Sequence, residues 1–402
     1  MSAQFTLEAT YKYLLIALAF LLPLTVAGAN TIIVIICLLW LLSGRYKEKF
    51  NIIFQSKLMI ASIVFFLIHV LGLIWTEDLK WGFHMVHKMW YFIGLFPILF
   101  TLVRKDHISN YIFAFLLAIT FTEIMSYLVW FEIIEPFKNA TVLNPTPFMS
   151  HISYNPILAF AIYLVLHQLF FNKKLINLTF AFYSFFAISM TINMFITGGR
   201  AGQIGFFVVL SMLIFQIFEK HRIKSLLIIA TIIPSIFFLA YQSSDLFKTR
   251  VNSAFQEAIT YESIDMSNGS SVGQRINYNL NSWHIIKNNP FIGVGTGDFP
   301  EEYRKVNELK TPGLPNATNP HNMYTLILVQ LGFLGIFSML SIFFYQMKFS
   351  LNSSNRSIRD AGITLPILFI VLMLSDSYLL GHYTTLMFVF FSSFLYKDFE
   401  ES

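Results

Sequence analysis

Three short segments of this 402-residue chain combine side chains suited to transferring a group away from a phosphate. The first is Thr197-Gly198-Gly199-Arg200-Ala201-Gly202, which joins two apolar runs. Glycine permits tight turning and close backbone approach. Arg200 carries the only charge there, and a guanidinium pairs bidentately with phosphate oxygens. The plainer alternative is an interfacial arginine whose head snorkels toward water. The second segment is Gly273-Gln274-Arg275, at the start of an amphipathic stretch. Unpaired N–H groups at a helix start favour anions too, although most exposed arginines are simply solvated. The third is Asn319-Pro320-His321-Asn322, immediately before an apolar run. An imidazole titrating near pH ~6.5 suits a general base; its alternative is a hydrogen-bonded interfacial residue.

Other candidates are weaker. Gly293-Val-Gly295-Thr-Gly297 follows a helix rather than a strand, so it reads as a turn shaping the site and not as a nucleotide motif. His84 and His87 are three apart, with His151 and His382 also near span ends. No third ligand stands close in sequence, so no metal is expected. Glu123 falls inside an apolar run, where an ionisable group is costly and often functional. Asp376 falls at the end of another. Either can pair with an essential arginine or be merely hydrogen-bonded. The single cysteine, Cys37, excludes a disulfide framework.

The elements that must carry these residues are membrane helices. Hydrophobic residues make up 56% of the chain and charged residues 12%, with 45 phenylalanines. A soluble domain averages about 25% charged residues, so this composition leaves too little polar surface to cover an apolar interior. Twelve segments are long and apolar enough to read as spans, given about 20 residues per crossing: roughly 12–29, 31–43, 58–75, 89–103, 111–134, 156–171, 175–196, 203–218, 225–241, 323–347, 361–378 and 383–396. Ala27 and Ala29 imitate a signal-peptide cleavage site. The run before them is long and another follows at once, so the first segment is read as a retained helix.

Lys and Arg set the direction. With a cytoplasmic N-terminus, the inside loops hold Arg45, Lys47, Lys49 and Lys57; Arg104 and Lys105; Lys173 and Lys174; Lys220, Arg222 and Lys224; and Lys348, Arg356 and Arg359. The short outside loops hold Lys80, Lys88, Lys138 and Arg200. The net charge of +5 is therefore a matter of placement, and no nucleic-acid partner is expected. The chain divides into a membrane region over 1–241 with about nine spans, a large outside loop over 242–322, and a membrane region over 323–402 with about three. Within the loop, Val272, Ile276, Leu280, Trp283 and Ile286 recur near helical period until Asn289-Pro290 stops them. The expected fold class is all-α, a polytopic integral membrane protein.

The ordered set Thr197-Gly-Gly-Arg200-Ala-Gly, Gly273-Gln-Arg275, Asn289-Pro290-Phe-Ile-Gly293-Val-Gly295 and His321-Asn322-Met-Tyr324 resembles the O-antigen ligase superfamily. Its ligases, polymerases and protein O-oligosaccharyltransferases share one donor chemistry. The resemblance covers residues 197–335, including Gly332 and Gly335; the first half is similar in hydropathy alone. Gly199 stands where members often carry Ser, and Gln330 where they often carry Glu. The resemblance implies a donor glycan on undecaprenyl pyrophosphate, two arginines gripping the pyrophosphate, and a histidine near the acceptor. Those roles fall to Arg200, Arg275 and His321, with Asn322, Tyr324, Gly293, Gly295, Glu123, Asp376 and His151 in support. It also implies a multi-pass protein of the bacterial inner membrane whose site faces the periplasm. No cofactor is expected beyond the substrates and surrounding membrane lipids. The favoured activity is ligase, with the lipid A–core oligosaccharide as acceptor. A polymerase or a protein-glycosylating enzyme is the alternative, and a transporter or flippase is the reading from another class.

Overall fold

The computed structural model describes residues 2–138, 140–173, 176–259 and 271–399, with side chains described outside 2–6, 258 and 271. Helices are the only regular elements among these residues, apart from an isolated bridge between Thr141 and Asn144 in the irregular link 131–150. The first half contains α1 (Ser2–Leu21), α2 (Val26–Leu42), α3 (Tyr46–Gln55), α4 (Lys57–Leu71) and α5 (Leu79–Lys88). A π-helical turn at Tyr91–Leu95 then leads into α6 (Phe96–Leu102). Next come α7 (Ile108–Trp130), α8 (His151–Phe171), α9 (Asn177–Ile196), α10 (Arg200–Ile217) and α11 (Arg222–Ser243). The large loop folds as α12 (Asp245–Ile259), α13 (Ser271–Asn288) and α14 (Phe299–Lys310). The chain finishes with α15 (Met323–Asn352), α16 (Arg356–Leu372) and α17 (His382–Leu395).

The expected polytopic all-α class is what the structure has. Each expected span falls mainly on a helix, although 12–29 crosses a break at 22–25, 361–378 runs past the end of α16 at Leu372, and residue 175 lies outside the described residues. Among the described residues, eight stretches are long and apolar enough to cross a membrane unaided. The expected fourth span is longer than read, because α5 runs through the π-turn into α6 as one 24-residue segment, Leu79–Leu102. α1, α2, α16 and α17 fall outside those eight; α2 passes the same test only together with α3, from which it bends by 115°. The first span also ends earlier than expected. Leu22 precedes Pro23 and so disfavours continued helix, and the Thr25 side chain caps α2 by accepting from the Gly28 N–H at 3.3 Å.

The connections gather at two poles, which supports an alternating path. At one pole, Asp298 accepts from the Thr76 hydroxyl at 2.6 Å and from the backbone N–H groups of Glu77 and Asp78 at 2.8 and 2.9 Å. The Tyr383 hydroxyl donates to the Phe148 carbonyl at 2.8 Å there. At the other pole Arg104 pairs with Glu8 at 3.0 Å, Lys397 donates to the Val103 carbonyl at 3.1 Å, and Arg356 donates to the Gln216 carbonyl at 2.8 Å. The described Lys/Arg-rich connections thus share one end of the bundle, and the parts 244–259 and 271–322 of the long segment lie at the opposite end.

α17 runs through the middle of the bundle, and every side chain from Thr384 to Leu395 is buried. Its Phe388 and Phe391 pack against Phe92, Phe369, Phe115 and Phe160. The perimeter is the reverse. α11 exposes Leu226, Leu227, Phe238 and Leu239, and α9 exposes Leu178, Phe182, Phe185 and Ile188. Apolar faces of this extent are those of helices solvated by lipid.

The glycine-rich turn works as a structural wedge. Gly332 breaks α15 with φ +57°. Into that break the segment after Pro290 docks through its backbone: Phe333 N–H donates to the Pro290 carbonyl at 2.8 Å, and Val294 N–H to the Val329 carbonyl at 2.9 Å. Gly297 N–H donates to the Gln330 side chain at 2.7 Å, so this buried position requires an acceptor, which glutamine supplies as glutamate would. A Cβ on Gly332 would sit 2.4 Å from the Phe291 carbonyl carbon, and one on Gly293 2.3 Å from the Gln330 carbonyl carbon. Gly332→Ala is therefore expected to lower stability by at least the ~1–3 kcal/mol of a strained backbone, read as a drop in apparent melting temperature. Gly313→Ala is the control: it shares a positive φ, +102°, yet has nothing within 4 Å of its Cβ.

Candidate donor and acceptor site

Arg200 opens α10 at the pole that carries the long loop. A buried amide network holds the turn before it. Thr197 Oγ1 donates to Asn155 Oδ1 at 2.8 Å, Asn155 Nδ2 donates to the Gly199 carbonyl at 3.3 Å, and Gln203 Nε2 donates to the Thr197 carbonyl at 3.0 Å. Gly198 N–H donates to Asn144 Oδ1 at 3.1 Å, and Asn144 Nδ2 lies 2.5 Å from His151 Nδ1. α8 and α10 nearly touch here: a Cβ on Gly202 would lie 2.3 Å from the Asn155 Cβ. A Cβ on Gly199 would lie 2.5 Å from the His151 carbonyl oxygen, so a serine at that position needs the backbone to shift.

The charges facing Arg200 are Glu257, Arg275 and Arg250. Arg250 was not singled out in the sequence, and no local pattern marks it. Tertiary folding brings it in. Ser244 Oγ donates to the Phe195 carbonyl at 2.8 Å and Phe247 packs edge-on against Phe195, which folds α12 back over the ends of α9 and α10. Arg250 Nη2 then lies 3.8 Å from where a Cβ on Gly198 would be. His151 faces Arg250 and Arg200, so it belongs to the same cluster. Glu257 Oε2 accepts from the Val272 N–H at 2.9 Å and ties α12 to the start of α13.

Arg275 stands between this cluster and the histidine. Its charge reaches Arg200 on one side and Asp376 and Tyr378 on the other. α13 is fixed to α15 through Asn279, whose Oδ1 accepts from Thr325 Oγ1 at 2.5 Å.

His321 has a left-handed backbone, φ +52°, a strained conformation for a non-glycine residue and one that concentrates at functional sites. Asn319 Oδ1 holds it there, accepting from the His321 N–H and from Ser377 Oγ, both at 2.9 Å. The ring places Nδ1 3.2 Å from Asp376 Oδ1 and lies nearly parallel to Tyr278 at 26°. With Nδ1–H donated to a carboxylate, Nε2 keeps its lone pair, and the side chain is partly exposed. Burial opposes the Asp376 carboxylate, but the His321 hydrogen bond and charge, the Ser377 N–H and Arg275 outweigh it and hold its carboxyl below the ordinary value.

The remaining candidates have other partners. Asn322 caps α15, accepting from the Tyr324 and Thr325 N–H groups at 3.0 and 3.2 Å. The Tyr324 hydroxyl donates to the Ile370 carbonyl at 2.8 Å. Neither touches the His321 ring, which Asp376 orients instead. Gly293 and Gly295 lie in the wedge, against Gln330 of α15 and, for Gly295, against Thr76 in the link from α4 to α5. Glu123 is buried in α7 with Tyr127 and Tyr154 as its electrostatic neighbours, away from the arginines. Ser189 also interacts with it, but neither carboxylate oxygen makes a hydrogen bond of normal geometry. Among the described residues, no three His, Cys, Asp or Glu side chains converge as a metal site would need. His84 lies against the Trp81 ring on α5.

Two comparisons bear on identity. Residues 185–340 match the family model described as O-antigen ligase, a span that contains Arg200, Arg250, Arg275 and His321. No curated protein matches the chain.

Proposed function

We propose that this member of the O-antigen ligase superfamily transfers a glycan from undecaprenyl pyrophosphate to the lipid A–core oligosaccharide at the periplasmic face of the bacterial inner membrane. The superfamily accounts for a membrane glycosyltransferase with lipid-linked glycan substrates; donor, acceptor and side are the finer reading. The observation that carries it is the position of Arg275, whose charge reaches both Arg200 and the Asp376 that holds His321. With the pyrophosphate gripped by the arginines, the anomeric carbon of the attached sugar would be directed toward the histidine.

The step is a single displacement. An acceptor hydroxyl attacks the anomeric carbon while His321 Nε2 removes its proton. The bond from that carbon to the phosphate oxygen breaks, and the electron pair leaves with the pyrophosphate. Its growing charge is met by Arg200 and Arg275, with Arg250 close by. Direct attack inverts the anomeric carbon. Asp376 stabilises the imidazolium without taking the proton. The polyprenyl chain would lie along apolar faces between spans.

The acceptor is tested by the lipopolysaccharide banding of a deletion strain. Free core with accumulated lipid-linked polymer supports a ligase; core carrying one repeat indicates a polymerase; unchanged banding with loss of glycosylated protein indicates a protein acceptor. The side is tested in a Cys37→Ser background with cysteine placed at Arg222 or Lys310, at opposite poles. An impermeant thiol reagent applied to spheroplasts should label the Lys310 position and spare the Arg222 position. The reverse pattern would put the site in the cytoplasm.

A further inference from the structure

The pole opposite the arginine cluster holds a cavity that glycan transfer leaves unused. It measures about 770 Å³ and is walled by the start of α1, the corner between α2 and α3, the link from α6 to α7 and the residues after α17. The corner is the 115° bend, made where Gly44 and Arg45 are both left-handed. It turns α3 aside so that Tyr46, Phe50 and Phe54 are exposed next to charged Lys47 and Glu48. A short helix with that mixture lies at a membrane surface.

Five Lys or Arg residues and three Asp or Glu residues line the cavity, a surplus of two positive charges. Arg104 is neutralised by Glu8. Among the described residues, Lys49 and Lys397 have no carboxylate partner. The Lys49 ammonium donates to the Trp40 carbonyl and to Ser43 Oγ, and lies 4.4 Å from the Trp40 ring centre. The Lys397 ammonium uses one of its three donors on the Val103 carbonyl and lies 5.4 Å from the Phe399 ring centre. Burial, aided by the Arg104 charge, pulls Lys397 down to about 8. A carbonyl and aromatic faces hold these ammonium groups in place without cancelling their charge, which leaves room for an anion.

We propose that this cavity binds the phosphate headgroup of an anionic phospholipid from the leaflet at that pole. Basic pockets between spans at a membrane surface are suited to such headgroups. Free phosphate offers the same charge, but the aromatic rim and the exposed Phe50 and Phe54 favour a ligand that also carries acyl chains.

The test uses the full-length protein in detergent, with bound lipid counted by native mass spectrometry. Phosphatidylglycerol should be retained in preference to phosphatidylethanolamine. Lys49→Gln and Lys397→Gln should each weaken that retention about fivefold, Lys397→Arg should preserve it, and Lys80→Gln at the other pole should leave it unchanged. Glycerol phosphate at equal concentration should not displace the lipid. Equal retention of the two lipids, or unchanged retention in both glutamine variants, overturns the proposal. Full displacement by glycerol phosphate would show a soluble-anion site instead. If a glutamine variant fails to fold, wild type alone decides: phosphatidylglycerol must raise its apparent melting temperature more than phosphatidylethanolamine does, and equal effects count against the site.

Discussion

His321→Ala is expected to insert and fold normally and to lose about 10²–10⁴-fold in glycan transfer, the range for removing a general base. The surroundings favour a clean result. Backbone hydrogen bonding through Asn319 fixes the turn, and Asn322 caps α15 independently of the ring. Donor binding should survive, because the proposed mechanism assigns the pyrophosphate to the arginines and not to the histidine. Asp376→Asn should also fall steeply while leaving donor binding intact. An amide at that position can donate to Nδ1, which would place the proton on Nε2 and remove the base's lone pair. Transfer from purified lipid-linked donor, measured with a donor-binding assay, reads both. Near-wild-type transfer by His321→Ala would remove the histidine from the reaction.

The second large effect is at the arginines. Arg200→Ala or Arg275→Ala is expected to cost about 10²–10³-fold in transfer, as loss of one preorganised donor group does, and to weaken donor binding. Lysine should not rescue either. It keeps the charge but not the planar pair of N–H donors that matches a phosphate edge, so each lysine variant should remain at least about tenfold impaired. Full activity in both lysine variants would show that charge suffices and that no bidentate grip exists.

Much of the fold could be read from the sequence because a bilayer imposes it. Apolar segments had to be helices to satisfy their backbones, and the Lys/Arg asymmetry placed their connections at alternate poles. Arg200 and His321 stood out because each borders an apolar run with a charge or an imidazole, and Arg275 because it opens an amphipathic stretch of the long loop. α13 ends at Asn288, next to the Asn289-Pro290 stop, for the local steric reason that proline restricts its predecessor.

The rest depended on tertiary contacts. Arg250 and Asp376 lie far in sequence from the groups they join, and a fold-back of α12 and a turn after α16 bring them there. The apolar stripe of α13 was only partly the packed face. Leu280 and Trp283 are exposed, whereas Ile286 is buried with Tyr278 and Ile285 against Phe299 and Tyr303 of α14. Asn277, Asn281 and Ser282 are buried beside them, and Asn281 Nδ2 donates to Thr311 Oγ1 at 2.7 Å, so the packed face mixes apolar contacts with amide bonds. A helix beside a membrane can turn part of its apolar surface outward. α14 itself carried legible signals, with a proline at its first turn and Glu301 and Glu302 near its N-terminus. The break in α15 was not legible, since Gly332 resembles any small residue in a span until a second backbone is seen to dock against it.

The central claim is that Arg200, Arg275 and His321 make one site that moves a glycan off a polyprenyl pyrophosphate. The most direct measurement incubates purified full-length protein with lipid-linked glycan donor and lipid A–core acceptor, and follows released polyprenyl pyrophosphate and glycosylated core together. The account predicts that both appear in equal amounts with wild type, with the anomeric configuration inverted, and that both disappear in His321→Ala while the donor remains bound. Release without core glycosylation, retention of configuration, or no release at all from folded wild type would contradict it.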